Sequence, residues 1–600
     1  MQRIQRESYW SYINNLIEHD NNGTSNKPSS QKRFWSYIKS LRRDTTGVSP
    51  LRERGRLFSG PKEKADILNR QYQSVFTTDP SVNLPQLPGA HFPPMSEIQI
   101  NEKGVLSLLQ KLNPHKAAGP DNIPAMVLNK CSFSIAPLLC TIFRSSISTG
   151  VVPEDWRKAN ITPIFKKGDR NLASNYRPVS LTSLCCKLLE HIITSNIMYH
   201  LDQYNILTDC QHGFRARRSC ETQLITFLHD LAHTLDSKVQ TDVIVLDFSK
   251  AFDKVPHNKL FIKLNHYGIK GHTLQWIISF LSNRTQQVVV DGVSSYQAPV
   301  TSGVPQGTVL GPLLFLLFIN DLPEGTDSNV RLFADDCIVY RNIRNQADCV
   351  KLQNDLDKLA AWESRWGMNF HPDKCNVLNC SRSRKPILYD YHLKGHLLEN
   401  SQSTKYLGVD IQHNLMWNQH INRITKKAHS MLGFLRRNLK SANQVTKTNA
   451  YMALVRPHLD YCSVVWNPHN KNMINKIESV QRRAARYVCN NYHNTSSVTG
   501  MLDALQWDTL SSRRTKSQLI MFYKIINDHV DINSDLFVSR ASSRTRSSHS
   551  MKFRQIQTHT DSFKYSFFPR VIPIWNDLPA GVAEAPSLGI FKRELNKISF

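Results

Sequence analysis

The chain has 600 residues, with 75 Lys and Arg against 48 Asp and Glu, a net charge of +27 at pH 7. That length corresponds to about three or four domains, and a composition of 40% hydrophobic and 20% charged residues excludes a disordered chain. The 12 cysteines form no Cys-x-x-Cys pair and no zinc-type array, which excludes a secreted disulfide scaffold, while the basic excess points to a polyanionic partner such as nucleic acid.

The opening residues MQRIQRESYW carry no apolar segment, so they are not a signal peptide. Residues 1–97 are polar and broken. Asn21–Asn26 and Lys27–Ser30 read as a linker, with helical spacing around it at Phe34, Ile38, Leu41 and again at Ala65, Leu68, Tyr72, Phe76. Pro85, Pro88, Pro93 and Pro94 mark a boundary. Val243–Leu246 is a continuous, mostly β-branched run that reads as a buried strand ending at Asp247. Leu260, Leu264 and Tyr267 then share one helical stripe. Gln287–Val290 and Tyr296–Val300 bracket Asp291-Gly292, a hairpin-turn signal. The apolar run Val309–Ile319 is broken by Gly311 and Pro312 and is too short to span a bilayer. Arg331–Ala334 and Cys337–Tyr340 predict a second hairpin with Asp335 and Asp336 at its tip. Beyond residue 412, Ile421, Ile424, Ala428, Met431, Leu435 and then Met473, Ile477, Val480, Ala484, Val488 form two amphipathic stripes. Ser539–Ser550 reads as a basic flexible loop. No internal repeat is present. The predicted class is α+β, with local hairpins rather than regular βαβ units.

If the strand ending at Asp247 and the hairpin bearing Asp335 and Asp336 share one sheet, three carboxylates meet at its edge. Such a cluster is costly unless a cation binds there. Hard oxygen donors with open positions suit Mg²⁺, and two such ions could activate a hydroxyl and stabilise a leaving pyrophosphate. On a basic chain, that chemistry points to nucleotidyl transfer. Taken singly, an Asp-Asp pair is an ordinary solvated turn, and Asp247 alone is equally a helix cap.

The order of further blocks carries a resemblance. They are KAAGPD at 116–121, ITPIFKKGDRNLASNYRPVSL at 161–181, QHGFRARRSCETQL at 211–224 and VIVLDFSKAFDKVPH at 243–257. SGVPQGTVLGPLLF at 302–315, FADD at 333–336, WGMNFHPDKCNVL at 366–378 and KYLGV at 405–409 follow. Together they resemble the reverse transcriptase of non-LTR (LINE-type) retrotransposons, in the jockey/chicken-repeat group. Residues 34–78 and the block FFPRVIPIWNDLP at 567–579 resemble flanks of the same group and carry no known chemistry.

The resemblance implies a right-handed polymerase with fingers, palm and thumb. It divides the chain into an N-terminal extension (1–97), fingers with the start of the palm (98–240), palm (241–412), helical thumb (413–490) and a basic C-terminal extension (491–600). It implies that Asp247 and Asp335 ligate two Mg²⁺ ions, with Mn²⁺ as an alternative, that Asp336 assists and that the Phe248 carbonyl completes a site. Phe252 stands at the steric-gate position, where a ring excludes a 2′-hydroxyl, although a packed core Phe is the ordinary alternative. Lys166, Lys167 and Arg177 fall where the family contacts the incoming triphosphate, Arg177 with the bidentate geometry phosphate favours. Gln306 and Gly307 lie in the Pro-Gln-Gly block beside the nucleotide. Lys374 matches a late palm Lys that neutralises or protonates the leaving pyrophosphate. Tyr406, Leu407 and Gly408 resemble the primer grip. Asp253 is read as structural. Arg423, Lys426, Lys427, Arg436, Arg437 and Arg482, Arg483, Arg486 then become thumb cations facing duplex phosphates, rather than merely solvated faces.

The implied activity is RNA-directed DNA polymerisation, with an RNA template, a DNA primer and dNTPs as partners and no membrane. An apurinic-like endonuclease does not fit into residues 1–97, and neither a zinc knuckle nor a downstream nuclease is recognised. Either the chain is a fragment or domesticated remnant of a longer protein, or a separate endonuclease is its partner; the expected location is the nucleus, the cytoplasm or both, not the exterior. Alternatives are a maturase-type or RNA-templated RNA polymerase and a catalytically inactive or domesticated RNA-binding remnant. Phe252 argues against ribonucleotide use, and intact Asp247, Asp335 and Asp336 argue against a decayed centre.

Overall fold

The fold is taken from a computed structural model. It describes residues 47–77, 85–541, 549–598 and 600, with isolated positions before residue 12. The linker at Asn21–Ser30, the patch Phe34, Ile38, Leu41 and most of the basic stretch Ser539–Ser550 lie outside the described residues.

The first elements are a short hairpin, β1 (Leu51–Glu53) and β2 (Arg56–Phe58), and helix α1 (Pro61–Gln73). As the spacing of Ala65, Leu68 and Tyr72 predicts, these residues form the buried face of α1. Residues 85–101 carry the four prolines and no regular element. Helices α2 (Glu102–Lys111) and α3 (Ser132–Thr149) follow, then strands β3 (Lys158–Phe165) and β4 (Tyr176–Leu181) and helices α4 (Leu184–Gln203) and α5 (Cys220–Asp236). The run Val243–Leu246 lies inside β5 (Gln240–Asp247), and Leu260 and Leu264 are buried on α6 (His257–His266).

Next come β6 (Arg284–Val290), β7 (Val293–Ser294) and β8 (Ala298–Val300). Asp291 and Gly292 both adopt positive φ, 50° and 82°, and close the β6–β7 hairpin as the Asp-Gly signal requires. Tyr296 stands outside the strands, so the second arm is shorter than the apolar run suggests. Helix α7 (Leu310–Ile319) is apolar all round and buried along almost its whole length. The buried Glu190 carboxylate accepts from the Val309 and Leu310 amides at 2.7 and 2.9 Å and caps its N-terminus. No helix among the described residues is long and apolar enough to cross a membrane.

The second hairpin is β9 (Asn329–Phe333) and β10 (Asp336–Ile343). Its two-residue turn is Ala334-Asp335, with Ala334 at φ 53°, so Asp336 opens the strand instead of sitting at the tip. Helix α8 (Gln346–Trp366) leads to β11 (Asn376–Cys380) and β12 (Glu399–Asn400), and then to the hairpin of β13 (Ser403–Tyr406) and β14 (Val409–Gln412). The two amphipathic stripes become α9 (Asn418–Asn438) and α10 (Lys471–Val488). The C-terminal region continues with α11 (Leu510–Ile526) and α12 (Phe567–Asn576).

Two five-stranded sheets organise the chain. One has the order β12-β11-β5-β10-β9; the other runs β4-β3-β6-β7, with β8 also on β6. The central strand β5 explains its own composition. Ile244 and Leu246 face a core shared with α3, α4, α6, α7 and α8, whereas Val243 faces a second core shared with α5, α9, α10, α11 and α12. A strand buried on both faces needs a continuous apolar run rather than alternation. A third core joins Leu51, Ala65, Leu68 and Tyr72 to Ile161 and Val288 of the second sheet. The C-terminal helices thus share one core with one face of the β12-β11-β5-β10-β9 sheet and with residues 413–490, Trp575 and Phe568 being fully buried in it.

Candidate active site

The register of β5 and β10 places Asp247 and Asp336 as direct cross-strand partners at the end of the ladder. Asp335 precedes Asp336 in the turn. Burial raises the Asp335 carboxyl, and the Asp247 charge raises it further while Arg177 and Lys166 offset part of the effect. Asp336 is pushed up to about 6 by burial and by Asp335 and Asp247, against the same two cations. Asp247 forms an ion pair with Lys374, whose Nζ lies 3.1 Å from its Oδ2. Among the described residues, no three His, Cys, Asp or Glu side chains are drawn together as a ready metal cage. The donors nevertheless fit a hard divalent cation: they are carboxylate oxygens at one sheet end, two of them with pKa values raised by burial and by their neighbours' charge.

The segment after Asp247 is stapled to the loop that carries Lys374. His371 N donates to Asp247 O and Ser249 N to Asn369 O, both at 2.8 Å. Phe248 stacks on Phe370 with centroids 4.2 Å apart. Lys250, at φ 56°, turns the chain sharply and starts the short helix Ala251–Lys254. Phe252, half-buried, stacks on Phe315 at 4.4 Å and meets Phe214 edge-on at 6.4 Å. Packed ring and cleft-lining ring are therefore the same residue.

Lys166 and Lys167 follow β3, and Arg177 lies on β4; all three are exposed. Burial and the Arg177 charge lower the Lys166 pKa, against the attraction of Asp247. Lys166 and Arg177 both act on Asp335 and Asp336. Gln306 and Gly307 lie against β4. Ser180 N donates to Gln306 O at 2.7 Å, and a Cβ on Gly307, whose φ is 102°, would come within 2.8 Å of Ser180 O. Gln306 Nε2 donates to Asp253 Oδ1 at 3.1 Å.

A cleft beside these groups is lined by Tyr72, Phe76, Phe252, Asp253, Arg284 and Gln306 among others. Its Tyr72 and Phe76 come from the N-terminal segment, a contribution that helical spacing alone does not reveal. Asp253 is pushed up to about 6 by burial, against Lys250 and the Gln306 hydrogen bond.

Leu407-Gly408 is the two-residue turn of the β13–β14 hairpin, with φ of 45° and 84°. Tyr461 Oη donates to Leu407 O at 2.9 Å and Arg423 Nη2 to Gly408 O at 2.8 Å. Tyr406 is buried, its hydroxyl accepting from Gln223 Nε2 at 3.0 Å. It anchors the hairpin from beneath, and the turn is what the surface offers.

Gln211 of the QHGF block is a site residue that the motif pattern does not single out. Its Oε1 accepts from Gly213 N and Ala334 N, at 2.7 and 2.9 Å. The motif itself was visible in the sequence; the partner across 123 positions was not.

Residues 164–411 match the family described as reverse transcriptase (RNA-dependent DNA polymerase). The carboxylate, nucleotide-contact and primer-grip residues named from the sequence lie within that span, and the duplex-facing cations from Arg423 to Arg486 lie beyond it. The RNA-directed DNA polymerase from mobile element jockey of Drosophila melanogaster is 28% identical over 409 residues, covering 66% of this chain and 44% of that protein. The probable RNA-directed DNA polymerase from transposon BS of the same species is 27% identical, over 76% of this chain and 52% of its own length. The jockey protein of Drosophila funebris is 27% identical, over 80% and 54%. The chain spans about half the length of the curated relatives it matches. It carries a reverse transcriptase domain, and the resemblance to non-LTR elements of the jockey group is borne out.

Proposed function

We propose that this chain is an RNA-directed DNA polymerase of a non-LTR retrotransposon, extending a DNA primer on an RNA template with dNTPs. One observation carries the reading: Asp247 and Asp336 are cross-strand partners, with Asp335 in the adjoining turn, inside the span that matches the reverse transcriptase family. In this reading the sheet β12-β11-β5-β10-β9 is the palm, the residues around β3 and β4 belong to the fingers, and α9 and α10 form the thumb.

Asp247, Asp335 and Asp336 would hold two Mg²⁺ ions, with the Phe248 carbonyl as a further donor. Bound there, the ions supply a more acidic primer 3′-hydroxyl and charge neutralisation at the triphosphate. The chain's own residues do the rest. Lys374 holds Asp247 in place from the stapled 369–374 loop and offers an ammonium to the departing pyrophosphate. Arg177 and Lys166 present their charges towards the carboxylates and so to a triphosphate lying over them; their electrostatic coupling favours Lys166 over Lys167 for this role. Phe252, fixed by Phe315, closes the space under the sugar. Gln306 and Gly307 keep the backbone close to β4 so that the nucleotide has a flat floor. The Leu407-Gly408 turn, held by Tyr461 and Arg423, supports the primer end. Cations of α9 and α10 take duplex phosphates, a backbone readout that tolerates template sequence.

The test is primer extension on an RNA template with dNTPs and Mg²⁺. Extension by the purified chain, lost in Asp335→Ala while salt-sensitive duplex binding persists, supports the proposal. No extension by a folded, duplex-binding wild-type chain supports the RNA-binding alternative instead.

A further inference from the structure

The Ala334-Asp335 turn needs a support that its own hairpin does not provide. Ala334 sits at φ 53°, a left-handed conformation that a non-glycine residue holds only when its surroundings impose it. Those surroundings are residues 210–213. Leu332 N donates to Cys210 O and His212 N to Leu332 O, both at 2.8 Å, so this segment runs as an extra edge along β9. Gly213 lies so close to the turn that a Cβ there would fall 2.3 Å from Ala334 N. The Gln211 side chain, 2% exposed, then accepts from both Gly213 N and Ala334 N.

The same segment is tied to the far end of the chain. Arg218 Nη1 donates to the Gln211 carbonyl at 2.8 Å and to Asp209 O at 2.7 Å. Its Nε donates to Asp531 Oδ2 at 2.6 Å. Asp531 N donates back to Arg217 O at 3.1 Å, and Arg217 Nη1 donates to Asp528 O at 3.0 Å. Arg218 is almost fully buried between these groups, where a charge-assisted hydrogen bond is stronger than on an open surface.

We propose that Gln211 is the positioning residue of the Asp335 turn and that residues 528–531 of the C-terminal region brace it through Arg218. The catalytic part of this proposal rests on the polymerase reading above. Gln211 touches no reacting atom in this scheme; it fixes the backbone from which Asp335 projects. The C-terminal region thereby becomes part of the machinery that sets the carboxylate geometry, a role that neither its charge nor its composition discloses.

The experiment uses the full chain with three variants. Gln211→Met keeps the size and removes the acceptor, Gln211→Glu keeps an acceptor at the same reach, and Asp531→Ala cuts the brace. Hydrogen–deuterium exchange of peptides covering residues 330–337 is read beside primer-extension kinetics, duplex affinity and melting temperature. Gln211→Met is expected to speed exchange in the turn at least tenfold and to lower kcat by about 10²-fold, the order that a displacement of about 1 Å costs. The half-saturating Mg²⁺ concentration should rise severalfold and the melting temperature should fall by a few degrees, because two buried N–H groups lose their acceptor, with duplex affinity unchanged. Gln211→Glu should restore protection of the turn. Asp531→Ala should reproduce the Gln211→Met pattern in weaker form. Wild-type exchange in Gln211→Met or in Asp531→Ala overturns the proposal, as does a loss of kcat matched by an equal loss of duplex binding. A folded wild-type chain that extends no primer defeats the polymerase reading, and the exchange data then still decide whether Gln211 and Asp531 hold the turn.

Discussion

Asp336 faces Asp247 across the last rung of the β5–β10 ladder. Like charges placed directly opposite on neighbouring strands destabilise a sheet. Here the apolar rungs beneath them, Leu246 with Cys337 and Val245 with Ile338, hold the register regardless. Activity and metal-free stability therefore pull in opposite directions at this position. Asp336→Asn and Asp247→Asn are expected to lower primer extension by about 10²-fold or more, yet to raise the melting temperature of the metal-free protein. Thermal unfolding in EDTA beside extension assays would check this; variants that lose both activity and stability would contradict the account.

The Asp253 carboxyl gives a pH signature away from the carboxylate cluster. Its folded pKa of about 6 lies above the ordinary Asp value. The folded chain therefore binds more protons than the unfolded chain between those values. The stabilising contribution is complete below about pH 4 and is lost as pH rises through about 6. Asp253→Asn keeps an acceptor for Gln306 and removes the titration. Its melting temperature should exceed that of wild type at pH 8, with the gap closing at pH 4.5. A gap independent of pH would count against the assignment.

The legible parts of this chain are those encoded locally. Val243–Leu246 announced a strand buried on both faces, Asp291-Gly292 a tight hairpin, and the Ile421–Leu435 spacing a helix with one apolar face. The motif order added the carboxylates and their neighbours. What stayed hidden depends on partners far apart in sequence. Nothing in QHGF shows that Gln211 reaches Ala334, and nothing in a basic tail shows that Asp531 meets Arg218. The motif groups Tyr406 with Leu407 and Gly408 as a primer grip, but its ring lies inward against Gln223 and Phe227. The phase at the Asp-Asp hairpin was one residue off because the turn needs two residues and takes Ala334 as the first.

Lys374 sits at 3.1 Å from Asp247 with both groups partly exposed. An exposed pair of this kind adds little to stability, and the role proposed for Lys374 is in the reaction. Lys374→Met should lower kcat by about 10²-fold, the usual scale for a positioned proton donor, with the KM for dNTP within a few-fold of wild type. Lys374→Arg should recover part of the loss, since it keeps the charge. Single-turnover extension with saturating dNTP separates the two parameters; a change confined to KM would move Lys374 from the leaving-group step to nucleotide binding.

The packing of Phe252 and the sugar-gating role proposed for it should be exposed together by one substitution. Removing its ring opens the space beneath the sugar and also strips the stack on Phe315. Phe252→Ala should raise incorporation of ribonucleotides relative to dNTPs and cost about 2 kcal/mol of stability, less than a fully buried Phe. Phe252→Tyr should leave both near wild type. Competition assays with matched NTP and dNTP would check the ratio. An unchanged ratio with lowered stability would leave Phe252 a packing residue alone.

Trp575 tests whether the C-terminal region is structurally one with the rest of the second core. It is fully buried, donates from Nε1 to Met551 O at 2.8 Å and packs edge-on against Phe522 at 5.2 Å. That core continues through Val480 and Leu435 to Val243 on β5, the central strand of the β12-β11-β5-β10-β9 sheet. Trp575→Ala removes one of the largest side chains in it and should cost about 3–5 kcal/mol. Because the cavity opens in a core shared with residues 413–490, the loss should appear as earlier unfolding of both regions together. Limited proteolysis with peptide mapping would show cuts near residues 413–490 as well as beyond 490. Cuts confined to the C-terminal region, with primer extension unchanged, would mean that the region folds independently and that its contacts with α5 and α9 are dispensable.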